Sequence, residues 1–176
     1  MSRHIDLQPT LSGTYLTLRP LQESDFEALY LAASDPLIWE QHPQPTRYRR
    51  EVFAHYFDSA IVSKGALAAI DRTNGEIIGS SRYCNYVEVN REIEIGWTFL
   101  ARKYWGGKYN GEMKRMMLDH IFQYVDRVLF EIGSSNVRSR KAVERIGAKF
   151  ICEIPPPTDG SEYTPYVRYA IEHEHA

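Results

Sequence analysis

Cysteine is scarce in this chain, and the little that is present forms no metal or disulfide motif. Only two cysteines occur among the 176 residues, Cys84 and Cys152, and they stand far apart without CxxC spacing. Disulfide-built domains and the common zinc sites both need several cysteine or histidine residues at short, regular spacing. We therefore expect neither kind of site, no other metal centre, and a reducing, cytoplasmic setting.

Long apolar runs and an excess of one charge are absent as well. No stretch approaches the roughly 18 apolar residues of a membrane span, and the first residues, MSRHIDLQPT, contain no apolar signal-peptide core. The formal net charge is −2, which gives no sign of the basic surface that nucleic acid requires. We therefore expect neither a membrane nor a nucleic acid as a partner.

What the chain does contain is typical of a globular protein. Hydrophobic residues make up 43% of the sequence and charged residues 25%. A chain of 176 residues is long enough for one domain with a substantial core. We expect residues 1–176 to form a single domain.

Hydrophobic periodicity predicts a mixed α/β fold. The predicted order is a strand, two helices, a meander of three strands, a helix, a strand, a helix and two final strands. In the middle, EIGWTFL, a Met-rich helix and VLFEIG form a βαβ unit, whose two strands should run parallel. Strict alternation along REIEIGWTFL predicts two faces, one carrying Ile93, Ile95 and Trp97, the other Glu92, Glu94 and Thr98.

The segment YWGGKYNGEMKR lies between the third meander strand and the Met-rich helix. Gly106 and Gly107 permit the backbone to approach a ligand closely, and N–H groups at a helix N-terminus attract phosphate oxygens. Lys108 adds a positive charge. The same residues are also consistent with a simple tight connection, and the sequence contains neither the GxxxxGK[ST] nor the GxGxxG nucleotide motif.

A second helix start follows the next strand, in NVRSRKAVERIGAKF. Asn136, near its beginning, is placed beside the end of the parallel neighbour, and two such strand ends create a crevice between them. A long, thin ligand with a phosphate at one end fits a crevice of this kind. Asn136 is also suited to capping the helix, and Arg138, Arg140 and Lys141 either meet phosphates or form a solvated face.

Together these segments resemble the GNAT superfamily of acyl-CoA-dependent N-acyltransferases, in particular the ribosomal-protein-type N-terminal acetyltransferases and their relatives. The resemblance extends from LTLRPLQESDFEALY to the C-terminal strand. EIEIGWTFLARKYWGGKYNGE resembles the family's strand 4 and phosphate loop, and NVRSRKAVERIGAKF resembles its helix pattern N-x-x-S-x-x-x-x-E-x-x-G. This resemblance implies a GNAT-like mixed, mostly antiparallel twisted sheet, with a central parallel strand pair splayed around a coenzyme A crevice and helices on both faces.

The resemblance also implies a function. It indicates an N-acetyltransferase that moves an acetyl group from acetyl-CoA to a primary amine by direct attack in a ternary complex, without an acyl-enzyme. The acceptor is a small amine, an amino sugar or a peptide N-terminus, and the resemblance does not choose among them. The alternative is a non-catalytic acyl-CoA-binding sensor or partner domain on the same scaffold. Acyl chain preference and assembly, including a homodimer, stay open.

Site residues follow from the same resemblance. Glu94 is the expected general base or amine-positioning group, with Glu92 in reserve, and Ser139 is expected near the thioester sulfur. The expected cofactor-binding residues are Trp97, Thr98, Phe99, Trp105, Gly106, Gly107, Lys108, Tyr109, Asn110, Gly111, Asn136 and Ser139. The expected substrate-binding residues are Trp39, His42 and Glu92, with Arg47, Tyr163 and Tyr166 as further candidates.

The chain departs from the family pattern at two positions. Many family members carry [QR]-x-x-G-x-[GA] in the phosphate loop, and Lys108 stands where that pattern has its glycine. The glycine nest is therefore expected to shift by one residue, with Lys108 reaching a phosphate. Many members also carry a tyrosine on the later helix that protonates the leaving thiolate. Val143 occupies that position here, so the usual general acid is missing.

Overall fold

One sheet of eight strands organises the computed structural model, which describes residues 4–174, and four α-helices cover its faces within that range. The strands lie in the order β1-β2-β3-β4-β5-β6-β8-β7. They are β1 (Leu11–Ser12), β2 (Leu16–Pro20), β3 (Ala66–Asp71), β4 (Ile77–Val87), β5 (Glu92–Leu100), β6 (Arg127–Gly133), β7 (Lys149–Ile154) and β8 (Tyr166–Glu172). The helices are α1 (Phe26–Ala33), α2 (Arg50–Ser63), α3 (Lys108–Ile121) and α4 (Val137–Arg145).

The parallel pair at the centre of the sheet is confirmed. β5 and β6 run parallel, with Glu92–Glu94 opposite Arg127–Leu129, and the other neighbouring strands pair antiparallel. Within the described residues the β5–β6 ladder ends at Glu94 and Leu129, so the two strands separate toward their carboxyl ends. The predicted mixed, mostly antiparallel sheet with a splayed parallel pair is therefore correct.

Strict alternation along β5 is wrong, because a β-bulge interrupts the strand. Gly96 pairs with Arg82 and Phe99 pairs with Ser80, so β5 holds one more residue than β4 between the two pairs. Trp97 lies at the bulge, and its backbone has a positive φ of 55°. A one-residue insertion moves the side chains that follow to the opposite face.

The bulge exchanges the predicted faces of Trp97 and Thr98. The Trp97 ring lies toward α2, with its centroid 6.0 Å from that of Tyr56. The Thr98 hydroxyl lies toward α3, where it accepts a hydrogen bond from Lys114. Trp97 is therefore not on the face of Ile93 and Ile95, which pack with the α3 side of the sheet.

Each face of the sheet buries its own hydrophobic core. Under α1 and α2 the core is aromatic and includes Phe53, Tyr56 and Phe57 with Phe99 of β5. Under α3 and α4 it includes one face of the predicted Met-rich helix, with Met113, Met116, Met117 and Ile121 buried together with strand residues. Burial of each such side chain stabilises the fold by about 1.5–3 kcal/mol. The two cores therefore hold helices against β5 and β6 on both sides of the gap.

None of the helices described between residues 4 and 174 combines the length and the hydropathy that crossing a membrane requires.

Candidate active site

The gap between β5 and β6 opens into a cavity of about 540 Å³. That volume is in the range of small-molecule sites. The wall is formed by β5 from Ile95 to Leu100, by β6 from Phe130 to Gly133, by the start of α3 as far as Lys114, and by one side of α4 along its whole length. The structure brings all the expected cofactor-binding residues into this wall except Lys108 and Tyr109. The cavity therefore coincides with the crevice expected from the sequence.

A glycine nest forms one end of the cavity. Gly106 and Gly107 both have positive φ values, 110° and 102°, and no other atom would contact a Cβ added at either position. Gly107 is the N-cap of α3, and no side chain caps that helix end. The first N–H groups of a helix have no intrahelical acceptor. The nest and the helix end thus present backbone donors of the kind that bind phosphate oxygens.

The Lys108 side chain lies away from the cavity. Its Nζ sits 3.9 Å from the ring centroid of Tyr15 and 5.3 Å from that of Tyr109, in a cation–π arrangement. Tyr109 itself packs edge-on against Tyr104. A contact between Lys108 and a phosphate stays a prediction, and it requires the side chain to leave Tyr15.

Arg138 is a cation in the cavity wall. Its guanidinium lies 4.1 Å from the ring centroid of Trp105, and it donates to the carbonyl oxygen of Ile38 at 2.9 Å. The Arg138 backbone N–H also donates to Gln41. Arg138 therefore ties the start of α4 to the segment that follows α1, and its charge borders the cavity.

Asn136 performs the capping role and also lies in the cavity wall. Its Oδ1 accepts a hydrogen bond from the Ser139 N–H at 3.2 Å, which caps α4. Ser139 is in the wall one turn along that helix, and Val143 follows on the same side. Val143 is buried and has no ionisable proton, so α4 supplies no tyrosine acid at this point of the wall.

Glu94 is not one of the described residues that line the cavity, although its carboxylate lies against Gly96 of the wall. It is 8% exposed, and its Oε2 accepts a hydrogen bond from Asn85 at 2.6 Å. A Cβ added at Gly96 would lie 2.9 Å from Glu94 Oε1, so this wall glycine keeps the space beside the carboxylate clear. Burial raises the pKa of Glu94, and the nearby carboxylate of Glu131 adds to the rise.

Glu92 is not brought to the cavity. Its Oε2 lies 3.8 Å from Nη1 of Arg127, and its Oε1 accepts a hydrogen bond from Asn90. These contacts lie at the start of β5, at the end of the sheet where β5 and β6 are still paired. Glu92, which was expected as the reserve base and as a substrate contact, therefore lies at the opposite end of β5 from the bulge.

Of the residues expected on the acceptor side, His42 and Tyr166 line the cavity and the others do not. Trp39 is buried in the aromatic core, and its Nε1 donates to the carbonyl oxygen of Ala33 at 2.8 Å. The Tyr163 hydroxyl is exposed and donates to the carbonyl oxygen of Ile154. Trp39 therefore supports His42, whose ring lies 5.5 Å away, instead of lining the cavity.

His42 is neutral in this environment. Burial lowers its pKa to about 3, and the positive charge of Arg47 contributes. Its Nδ1 accepts a hydrogen bond from the Gln44 N–H at 2.8 Å. The neutral ring therefore carries its proton on Nε2, so the nearby Arg47 Nη1, at 3.3 Å, finds no acceptor there.

Two buried guanidinium groups lie behind His42 and Trp97. Arg47 and Arg82 are 7% and 4% exposed, and both lie over the Tyr56 and Trp97 rings, at 4.5–5.7 Å. Among the described residues neither has a carboxylate partner, and Arg82 Nε is buried without an acceptor. The acceptor side of the cavity is therefore backed by positive charge.

Lys114 is a buried charged residue of the wall that the sequence did not single out. It is 4% exposed, and its Nζ donates to Thr98 Oγ1 at 2.5 Å and to Ser81 Oγ at 3.0 Å. Burial lowers its pKa to about 7. The signal was a lysine spaced three and seven residues before Met117 and Ile121, which places it on the buried face of α3.

No group of three or more His, Cys, Asp or Glu side chains within residues 4–174 is placed to hold a metal ion.

Comparison with known proteins matches residues 15–149 to the family described as acetyltransferase (GNAT) domain. Several solved structures share the fold. A GCN5-related N-acetyltransferase from Brucella melitensis is 21% identical, with a TM-score of 0.79 over 94% of this chain and 79% of that chain. Mycobacterium smegmatis RimJ, solved in complex with CoA-disulfide, is 20% identical, with a TM-score of 0.67 over 90% and 82%. The microcin C7 self-immunity acetyltransferase MccE, in complex with acetyl-CoA and AMP, is 13% identical, with a TM-score of 0.76 over 96% and 99%.

At these identities the structural likeness shows the fold alone, and it confirms the GNAT-like architecture expected from the sequence. The matched domain covers more than half of the chain. The chain therefore belongs to the acetyltransferase (GNAT) family, whose members use acetyl-CoA as the acetyl donor.

Proposed function

We propose that this protein is an N-acetyltransferase that moves the acetyl group of acetyl-CoA to a primary amine by direct attack within a ternary complex. The observation that carries the proposal is the gap between β5 and β6, which ends in the glycine nest and passes beside a buried carboxylate. Residues 1–176 would act as one acyltransferase domain. A cytoplasmic setting and a homodimer remain predictions.

The wall residues fit acetyl-CoA along its length. The backbone donors of Gly107 and the start of α3 suit a pyrophosphate. The β5 edge from Trp97 to Phe99 has no ladder partner on the β6 side, so its polar groups are available to the amides of a pantetheine arm. Asn136 and Ser139 face the same space from α4.

Glu94 is the group we assign to the proton of the attacking amine. An amine attacks a thioester only when neutral, and a carboxylate with a raised pKa is a better base than an ordinary one. Gly96 leaves room for a direct contact or for one intervening water beside Glu94. A backbone N–H on the open β5 edge would stabilise the negative charge that develops on the thioester oxygen.

The acceptor belongs to one of three kinds: a small amine, an amino sugar or a peptide N-terminus. The wall at this end is formed by His42, Trp97 and Tyr166. A non-catalytic acyl-CoA sensor on the same scaffold is the second candidate, and the absence of a tyrosine at Val143 is the observation that favours it.

Two measurements test these candidates, and the second one separates them. Acetyl-CoA should raise Tm through binding linkage under both, and no shift at millimolar ligand would contradict both. Thiol release from acetyl-CoA in the presence of a panel of amines, with the acetylated amine identified by mass spectrometry, is expected of the enzyme. Tm stabilisation without acetylation of any amine would identify the sensor.

A further inference from the structure

A buried amine faces the cavity without a carboxylate partner. Lys114 Nζ, Thr98 Oγ1 and Ser81 Oγ lie within hydrogen-bond distance of one another, with the two hydroxyl oxygens 2.7 Å apart. Within residues 4–174 these hydroxyls are the hydrogen-bond partners of Lys114, and no carboxylate contacts its ammonium. Burying a lysine ammonium without a carboxylate partner costs free energy of folding. This cost points to a role for Lys114 in the cavity.

Lys114 lies beside the bulge of β5 in the cavity wall. Thr98, which accepts from Lys114, follows the bulge at Trp97 on the open edge of β5. Lys114 and Val143 enter the wall of the same cavity from α3 and α4. The wall therefore holds an amine donor on α3 although it has no acid on α4.

We propose that Lys114 is the proton donor for the coenzyme A thiolate that leaves during acetyl transfer, an inference that rests on the proposed function. The amine nitrogen forms a bond to the carbonyl carbon, and the bond from that carbon to sulfur breaks. Glu94 takes the proton that the attacking nitrogen loses. The sulfur takes a proton from the Lys114 ammonium, which recovers one from solvent after product release.

The acidity of Lys114 suits this transfer. An ordinary lysine has a pKa of about 10.4 and would hold its proton more tightly than a thiol, whose pKa is about 8.5. Burial lowers the pKa of Lys114 to about 7, so transfer of its proton to a thiolate is downhill. The lowered value also means that the donor form declines as the pH rises through about 7.

The other charged and titratable groups around the cavity do not reverse the lowered pKa of Lys114. Cys84 on β4 is the group whose charge acts on Lys114, and burial raises the Cys84 pKa to about 12, so its thiol stays neutral. Glu131 on β6 is paired with Arg168. Glu94 of β5 and Glu112 of α3 accept other hydrogen bonds. The cations in the wall are Arg138 and Arg145 of α4.

Chemical labelling tests the placement of Lys114 without relying on turnover. An amine with a pKa near 7 is substantially unprotonated at neutral pH, unlike an ordinary lysine, so it reacts with reductive-methylation reagents that enter through the cavity. We expect labelling of Lys114 that is suppressed by acetyl-CoA, while the exposed Lys64 is labelled equally with and without it. Mass spectrometry of peptides reports both sites. Labelling of Lys114 that ignores acetyl-CoA would overturn the proposal.

Kinetics then distinguish a proton donor from a structural lysine. Lys114→Met should lower kcat about 10- to 100-fold, at the lower end of general acid catalysis, and remove the fall in kcat as pH rises through about 7. Lys114→Arg keeps a positive charge that cannot be given up, so it should not restore the rate. Ser81→Ala removes one hydrogen bond to Lys114, and this variant should still show the fall in kcat as the pH rises through about 7 (the falling limb of the pH profile).

The outcomes separate the inference from the function on which it rests. If no amine is acetylated, the proposed function fails and the catalytic role of Lys114 fails with it. If amines are acetylated and Lys114→Met retains the falling limb, or Lys114→Arg restores the rate, only the Lys114 proposal is overturned. An acetyl group found on Lys114 itself would also overturn it, because Lys114 would then be a nucleophile.

Discussion

At the scale of single residues, the buried carboxylate of Glu94 gives the sharpest chemical expectation. Burial raises its pKa above the ordinary glutamate range, and it becomes a base only after losing its proton. Activity should therefore rise with pH through that raised pKa. Glu94→Gln should remove this rise and lower kcat by about 100-fold, as measured from kcat against pH. A pH profile unchanged from the wild type would exclude Glu94 as the base, and Glu76→Gln on the exposed β3–β4 turn is the control.

The same substitution also has a stability consequence with a defined sign. The folded protein holds the Glu94 proton to a higher pH than the unfolded chain does. Its ionisation therefore costs stability as pH rises from the unfolded pKa to the folded one. Glu94→Gln should lose this decline, so its Tm should rise relative to the wild type across that interval. A Tm difference that does not vary with pH would contradict the assigned cause.

At the scale of elements, the N-terminus of α3 tests how the phosphate end of the cavity works. Gly107→Ala forces a side chain into a backbone conformation that costs about 1–2 kcal/mol for L-residues, and relaxing that strain distorts the nest. We expect the Kd for coenzyme A, measured by calorimetry, to rise about tenfold, which corresponds to 1.4 kcal/mol.

Gly160→Ala is the matched control for this prediction. Gly160 also has a positive φ, 76°, with open space around an added Cβ, and it lies outside the cavity wall. It should share the loss of stability and leave the Kd for coenzyme A unchanged. If Lys108→Ala weakens binding and Gly107→Ala does not, the ammonium holds the phosphate and the nest does not.

Sequence periodicity predicted the elements well and the local geometry poorly. The meander, the Met-rich helix and the parallel pair depend on patterns repeated over many residues, and all three are present. The bulge at Trp97 depends on one inserted residue, which leaves no periodic signal in the sequence. Lys108 was expected at a phosphate; its side chain packs on Tyr15, and the phosphate contact stays a prediction. Lys114 was missed because a helix of methionines indicates core.

At the scale of the whole molecule, the two sides of the sheet supply different chemistry to one cavity. The α3 and α4 side provides the nest and Lys114, and the α1 and α2 side provides the aromatic core that holds Arg47 and Arg82. Neither arginine is paired with a carboxylate in the described residues. From this division we expect acetyl-CoA to bind toward the α3 and α4 side of the cavity and the amine acceptor toward the α1 and α2 side.

Buried positive charge on the acceptor side predicts a preference among amines. We expect acceptors with a carboxylate or phosphate near the amine to have a higher kcat/KM than their neutral amide or ester counterparts. Arg47→Met should reduce the ratio of kcat/KM for the anionic acceptor to kcat/KM for its neutral counterpart. Arg49→Met, at an exposed position on the same segment, should leave this ratio unchanged. Equal kcat/KM values for matched pairs would show that the guanidinium groups serve only to pack against the aromatic rings.

The most direct test of the central claim is a crystal structure of the protein with coenzyme A. We expect the pantetheine arm between β5 and β6, the pyrophosphate on the backbone of Gly106 and Gly107, and the sulfur near Lys114 and Glu94. A coenzyme A molecule bound elsewhere, or a β5–β6 gap that stays empty at saturating ligand, would contradict it.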